Sequence, residues 1–243
     1  MVNAVSMTFW SYLGQMASAR AVKIFILAAC LLILAIYLGY SSGIVPRSVL
    51  DTLHRSVIVF GVPLFATLFS EMALRDGITH RTLLYPLLGP VSRSTIASVR
   101  TVATGLFLFF GCATLIIIIR LICRVPWASL PLELAAVLLG SFTYVALSGL
   151  IHLITGKGLI TSLAIIAIFD QPIGRLPFAI RNIAPSYHLR NLSDLHEIWD
   201  LPLNLGLSHT PLLGSIAFLI LFTAVMIGIT AFIFSRKNLG SLC

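Results

Sequence analysis

Residues 132–154 read LELAAVLLGSFTYVALSGLIHLI, a run with no Asp, Lys or Arg, whose one Glu and one His, Glu133 and His152, stand next to its two ends. As a helix it rises about 35 Å, enough to cross a hydrocarbon layer about 30 Å thick. A continuous helix is also the natural way to carry such a run through lipid, because every backbone amide must find its partner inside the segment. Five further apolar windows flank it, at 24–43, 57–74, 102–122, 159–178 and 212–234, each bounded by charge, Gly or Pro. The pattern predicts an all-α integral membrane protein with six transmembrane helices. These form a single transmembrane domain over residues 1–243, with no stretch left for a soluble domain.

Composition points the same way. Apolar residues make up 58% of the 243 positions and charged residues 10%, with a mean hydropathy of +1.03, a balance far from that of soluble domains. The cysteines Cys30, Cys112, Cys123 and Cys243 show no paired spacing, and two of them lie inside apolar windows, as packing residues do. The first window is too long and begins too late for a cleaved signal sequence, so it is read as a span.

The net charge is +8, yet no basic run is longer than Arg236-Lys237. Nucleic acid is therefore not the expected partner, and lipid headgroups are the natural counter-ions. Six spans place both termini on one face, with Arg20, Lys23, Arg75, Arg81, Arg93, Arg100, Lys157, Arg236 and Lys237, nine of the sixteen cations. The excess favours a multi-pass protein of the plasma (inner) membrane with both termini cytoplasmic.

Ahead of the first window, Phe9, Leu13 and Met16 recur at helical spacing beside Trp10, which predicts an N-terminal interfacial helix. Two connections are long. Between spans two and three, Ile78 to Leu88 mixes apolar and basic residues and predicts a short cytoplasmic helix, interrupted at Pro86 and closed by Gly89-Pro90. Before span six, Leu189, Leu192, Leu195 and Trp199 recur beside acidic residues, as in a helix lying at the outer interface. Span five enters that region through Asp170, Pro172, Gly174 and Pro177, which cannot continue as regular helix. A broken or re-entrant outer segment is expected there.

Chemistry is sparse. A phosphate-cradling loop needs Gly, four residues, then Gly-Lys and Ser or Thr; Gly156-Lys157 is followed by Gly158, and Ile151 stands where the first Gly belongs. No pair of histidines has the short spacing that puts two metal ligands on one helix face. His188 and His196, eight apart, read as a solvated polar face. Glu71, Glu133, His152 and Asp170 are spread over three windows, mostly near their ends, with Glu133 and His152 at opposite ends of one, and so do not form the paired groups an intramembrane enzyme needs. Ionisable groups inside a membrane are functional by default. Against that, Glu71 has Arg75 one turn on as a structural partner, and Asp170 has Arg175 or the cap of a broken helix. Gly39 and Gly43 have the spacing that lets helices approach closely.

The loop after span two resembles the coupling segment of the type-2 family of ABC exporter permeases. In that family a Glu near the end of span two leads into a short cytoplasmic helix, and a Pro-Val-Ser-Arg-like turn opens span three. Here Glu71 is followed by Thr82-Leu83, then Pro90-Val91-Ser92-Arg93 and Ile96, while Ala184-Pro185-Ser186-Tyr187-His188-Leu189 is similar to the family's outer segment. The resemblance implies a permease subunit that pairs with a second permease as homodimer or heterodimer. A separate cytoplasmic ABC ATPase, which binds the ATP and Mg, would drive it, and this chain would carry no cofactor. It assigns ATPase coupling to Glu71, Arg75, Asp76, His80, Arg81, Thr82, Leu83, Leu84, Leu87, Pro90, Ser92 and Arg93. The outer gate or pathway falls to Asp170, Pro172, Arg175, Pro185 and His188. Two other classes compete: a proton-coupled secondary transporter using Asp170, Glu71 or His152, and an intramembrane enzyme.

Overall fold

The computed structural model describes residues 2–17, 19–43, 57–76, 92–155, 157–176, 179–193 and 210–236, and among these the chain is all-helical. Helices α1 (Val2–Ala17) and α2 (Arg20–Ser41) are followed by α3 (Val62–Ser70), which has a π turn at each end, Val57–Gly61 and Glu71–Asp76. Then come α4 (Arg93–Cys123), α5 (Leu130–Ile154), α6 (Gly158–Ile165) with the π turn Ile166–Asp170, and the single turn α7 (Gln171–Ile173). A 3-10 turn, Ala179–Ile183, leads into α8 (Pro185–Ser193), and α9 (Leu212–Arg236) ends the described chain.

Four helical stretches are long and apolar enough to cross a membrane: Arg20–Ser41, Arg93–Cys123, Trp127–Ile154 and Leu212–Arg236. The windows at 57–74 and 159–178, expected as full spans, form the shorter apolar helices Val57–Ala73 and Gly158–Ile173. In the second of these the stop is chemical. Pro172 removes a backbone donor and Gly174 ends the last turn.

Helix α4 is longer than its apolar window. Ser92 caps it by accepting the Thr95 amide at 3.2 Å, and Arg124 ends it in the left-handed region at φ 53°. Its 31 residues rise about 46 Å, so Arg100, expected in a loop, lies on the helix with Arg120, and both are buried. Gly43 takes φ 65° just past the end of α2, where an added Cβ would meet none of the described residues within 4 Å. The Gly39–Gly43 spacing thus ends in a turn rather than a helix contact at Gly43.

The central helix is α5, whose most apolar stretch is 61% buried, against 17% for α2 and 11% for α9. Its contacts give the run of the others. Thr143 meets Thr223 of α9 at 2.8 Å. Ser70, at the end of α3, reaches His152 near the end of α5, while Val62, at the start of α3, lies beside Gly140. Gly111 of α4 admits the Phe25 ring, where an added Cβ would come within 2.9 Å of it. Phe25 also packs edge-on against Phe65 at 4.7 Å, and Phe69 against Phe107, which joins α2, α3 and α4. A helix, α1, forms over the N-terminal segment, with Tyr12 and Met16 buried, Phe9 and Leu13 against the core, and Trp10 exposed.

Candidate functional site

Helix α6 starts tight against the end of α5: a Cβ on Gly158 would lie 2.6 Å from the His152 ring. It ends in a π turn whose last residue is Asp170, a buried carboxylate that is 7% exposed. Tyr144 donates its hydroxyl to Asp170 Oδ2 at 2.5 Å. Tyr144 lies fourteen residues after Leu130 and ten before Ile154, about 21 Å and 15 Å along the helix. Asp170 therefore sits midway along α5 and not at its end.

Backbone polar groups freed by the break find partners across it. The Asp170 carbonyl accepts from the Ser186 hydroxyl at 2.8 Å and from the Gly174 amide at 3.0 Å. The Gln171 carbonyl accepts from Arg190 at 3.3 Å. These bonds meet the demand that an interrupted helix creates away from water. Gly174 is required by closeness, since a Cβ there would lie 2.4 Å from Ser186 Oγ.

Ser186 is the second residue of α8, so its amide has no acceptor within that helix. It donates instead to Asp170 Oδ1 at 3.1 Å. Asp170 thus caps a helix, as one of the two structural readings held, but the capped helix is the next one in the chain. A carboxylate at a helix N-terminus is favoured by the helix dipole as well as by the hydrogen bond. The other expected partner, Arg175, places its guanidinium 5.7 Å from the Phe60 ring centroid. A buried cation on the same side of the break is Arg190, 1% exposed, which donates to Gln171 Oε1 at 2.9 Å, while Gln171 Nε2 donates to the Val59 carbonyl.

Nearly every residue of α8 is buried, so Leu189 and Leu192 do not lie on a surface, while Leu195 and Trp199 of the helix expected there lie outside the described residues. The burial also overturns the solvated reading of His188. That ring is 3% exposed, stacks on Phe218 at 4.1 Å, and bonds Ser215 Oγ and the Asn182 carbonyl. Asp170, Pro172, Arg175 and Pro185 gather around the break, while His188 faces α9.

Two further polar clusters lie at opposite ends of α5. Arg120 donates to both oxygens of Glu133, at 3.1 and 2.6 Å, and also to Ser129 and the Pro126 carbonyl. The two side chains are 0% and 2% exposed, so Glu133 does not reach an interface as expected. At the other end Arg100 donates to the Ala73 carbonyl at 3.1 Å and stands over the Tyr12 ring, and His152 bonds Ser70 and the Ser148 carbonyl.

Of the coupling residues, Glu71 is half-buried and opens the π turn Glu71–Asp76, Ser92 is the exposed cap of α4, and Arg93 is its exposed first residue. The side chains of Arg75 and Asp76, and all of His80, Arg81, Thr82, Leu83, Leu84, Leu87 and Pro90, lie outside the described residues, as does the expected helix at 78–88.

Sequence reading missed Tyr144, Gln171 and Arg190. A signal for Tyr144 was present: Ser141, Tyr144, Ser148 and His152 recur every three or four residues and form one polar stripe on α5. All four are buried, and among the described residues the Ser141 and Ser148 hydroxyls have no hydrogen-bond partner. No family model matches this chain, and no curated relative matches it either.

Proposed function

We propose that this chain is the permease subunit of an ATP-binding-cassette exporter, forming the substrate path and driven by a separate cytoplasmic ATPase. The observation that carries the reading is the helix break at Asp170, midway along α5, with α8 held against it by side-chain bonds. A pathway through a bundle needs an element that closes it and can be released. Helix α8 has that character, since its N-terminus is fixed by one carboxylate, one amide and one hydroxyl.

The chain then crosses the plasma membrane six times, with the α6–α8 unit counted as the fifth passage and both termini cytoplasmic. Helix α1 lies at the cytoplasmic interface. The segment Ile78 to Leu88, entered from Glu71 and left through Arg93, meets the ATPase, which binds ATP and Mg. Arg100 ties the carbonyl of Ala73, within the entering turn, to α4, so a push on that segment is passed to a long helix. A second permease, identical or paralogous, completes the pathway.

Purification from native membranes tests this. Co-purification of an ATPase, with transport that requires ATP, is the expected result, and transport by the chain alone under a proton gradient would refute it. That outcome belongs to the competing reading of a proton-coupled transporter. It is favoured by one observation, the buried stripe from His152 through Ser148, Tyr144 and Ser141 beside Asp170, where the Ser141 and Ser148 hydroxyls, without a partner among the described residues, are sites for ordered water.

A further inference from the structure

We propose that the groove between α1, α2 and α4 binds one anionic phospholipid, with acyl chain in the groove and phosphate beside Arg20 and Lys23. The cavity has a volume of about 720 Å³, within the range of small-molecule sites. Its wall is apolar: Leu13 from α1, Phe25 and Ile33 from α2, Phe110 and Ile118 from α4. The hydroxyl of Thr114, which also lines it, is spent on the Phe110 carbonyl at 2.8 Å. The groove is open along its side, where Phe110 is 64% exposed and Cys30 is exposed.

Its length selects the occupant. Along α2 it runs from Val22 to Ile33, and along α4 from Leu106 to Ile118, about 17 Å at the helical rise. That is the depth of one leaflet in a hydrocarbon core of about 30 Å. The end nearest α1 carries the charge. Arg20 and Lys23 are exposed in the first turn of α2, and Lys23 stands one turn before Ile26 and two before Cys30, on the groove's open edge. The first fifty residues hold no Asp or Glu, so neither α1 nor α2 supplies a carboxylate for these cations. A headgroup phosphate does, at the depth where headgroups lie. The lipid also covers α2, which the rest of the chain buries least but for α9.

The inference needs the chain to lie in a bilayer and does not depend on the exporter reading, so transport need not be measured. The test is native mass spectrometry of the full chain titrated with phosphatidylglycerol or phosphatidylcholine of identical acyl chains. One phosphatidylglycerol should be retained per chain in preference to phosphatidylcholine. R20Q with K23Q should weaken its retention by about thirtyfold, with little effect on phosphatidylcholine. Cys30→Trp, which fills the groove, should lower retention of both lipids, whereas Ile220→Trp on the exposed face of α9 should change neither; circular dichroism verifies that each variant is folded. Equal retention of the two lipids by the wild type, or retention unaffected by Cys30→Trp, would overturn the proposal. So would equal losses in Cys30→Trp and Ile220→Trp, or a Cys30–Cys30 disulfide between two copies, which would put a second chain in the groove.

Discussion

Asp170→Ala removes the carboxylate that joins α5, the broken helix and α8, and its cost can be worked from the bonds it breaks. The Ser186 amide loses its acceptor, a helix cap worth about 1 kcal/mol. The Tyr144 hydroxyl, fully buried, loses its acceptor too, which costs about 1–3 kcal/mol. Together these amount to about 3 kcal/mol of stability, of which the cap, about 1 kcal/mol or about fivefold, falls on the opening equilibrium of α8. Asp170→Asn keeps an oxygen for the Ser186 amide and an amide hydrogen for the tyrosine oxygen, so its cost should be nearer 1 kcal/mol, the difference between a charged and a neutral acceptor. Tyr144→Phe combined with Asp170→Ala should cost little more than Asp170→Ala alone, because the two act on one bond. Hydrogen exchange at the amides of residues 187–192 reads the opening directly. The expected order is wild type slowest, then Asp170→Asn, then Asp170→Ala. Exchange in Asp170→Ala equal to wild type would refute the view that this carboxylate holds α8.

Three other outcomes are expected. Glu133→Ala leaves Arg120 buried without its partner and should lower stability by about 3–5 kcal/mol, while Arg120→Met with Glu133→Leu should recover much of the loss; thermal inactivation in detergent checks both. In a cysteine-free background, single cysteines at Ser92 and Ser235 should label only from the cytoplasm and at Ser48 and Ser208 only from outside, and the reverse pattern would refute six passages with cytoplasmic termini. Leu83→Asp should weaken association with the co-purified ATPase by about 2 kcal/mol or more if Leu83 fills a groove, and Arg81→Glu by less; unchanged association and coupling in both variants would make the segment a plain linker.

Local chemistry in the sequence determined which stretches are apolar, where α1 turns its hydrophobic face, and where the fifth window breaks. Each depends on neighbours a few residues apart: the transfer energy of a window, the 3.6-residue period, and the missing donor of Pro172 before Gly174. The amphipathic reading of α1 through Phe9, Leu13 and Met16 holds for that reason. Hydropathy also misplaced helix ends, because a window excludes a charge that the fold has paired. Arg100 was set in a loop, yet it is on α4 with its guanidinium satisfied in part by the Ala73 carbonyl, distant in sequence.

The identity of partners was decided by tertiary structure alone. Asp170 has Arg175 five residues away, and sequence spacing favours that pairing, but the π turn and the break aim the carboxylate at Tyr144 and Ser186, twenty-six and sixteen residues distant. The faces of α5 show the same limit: its polar stripe is legible from the period, but which neighbour covers it depends on how α3, α6 and α9 pack around it. His188 looks like a surface residue in an acidic, polar stretch, and is buried because α8 folds into the bundle, where Ser215 and the Asn182 carbonyl meet both ring nitrogens. A sequence fixes local free energies along the chain, whereas a buried polar group takes whichever partner the packed helices bring within about 3 Å.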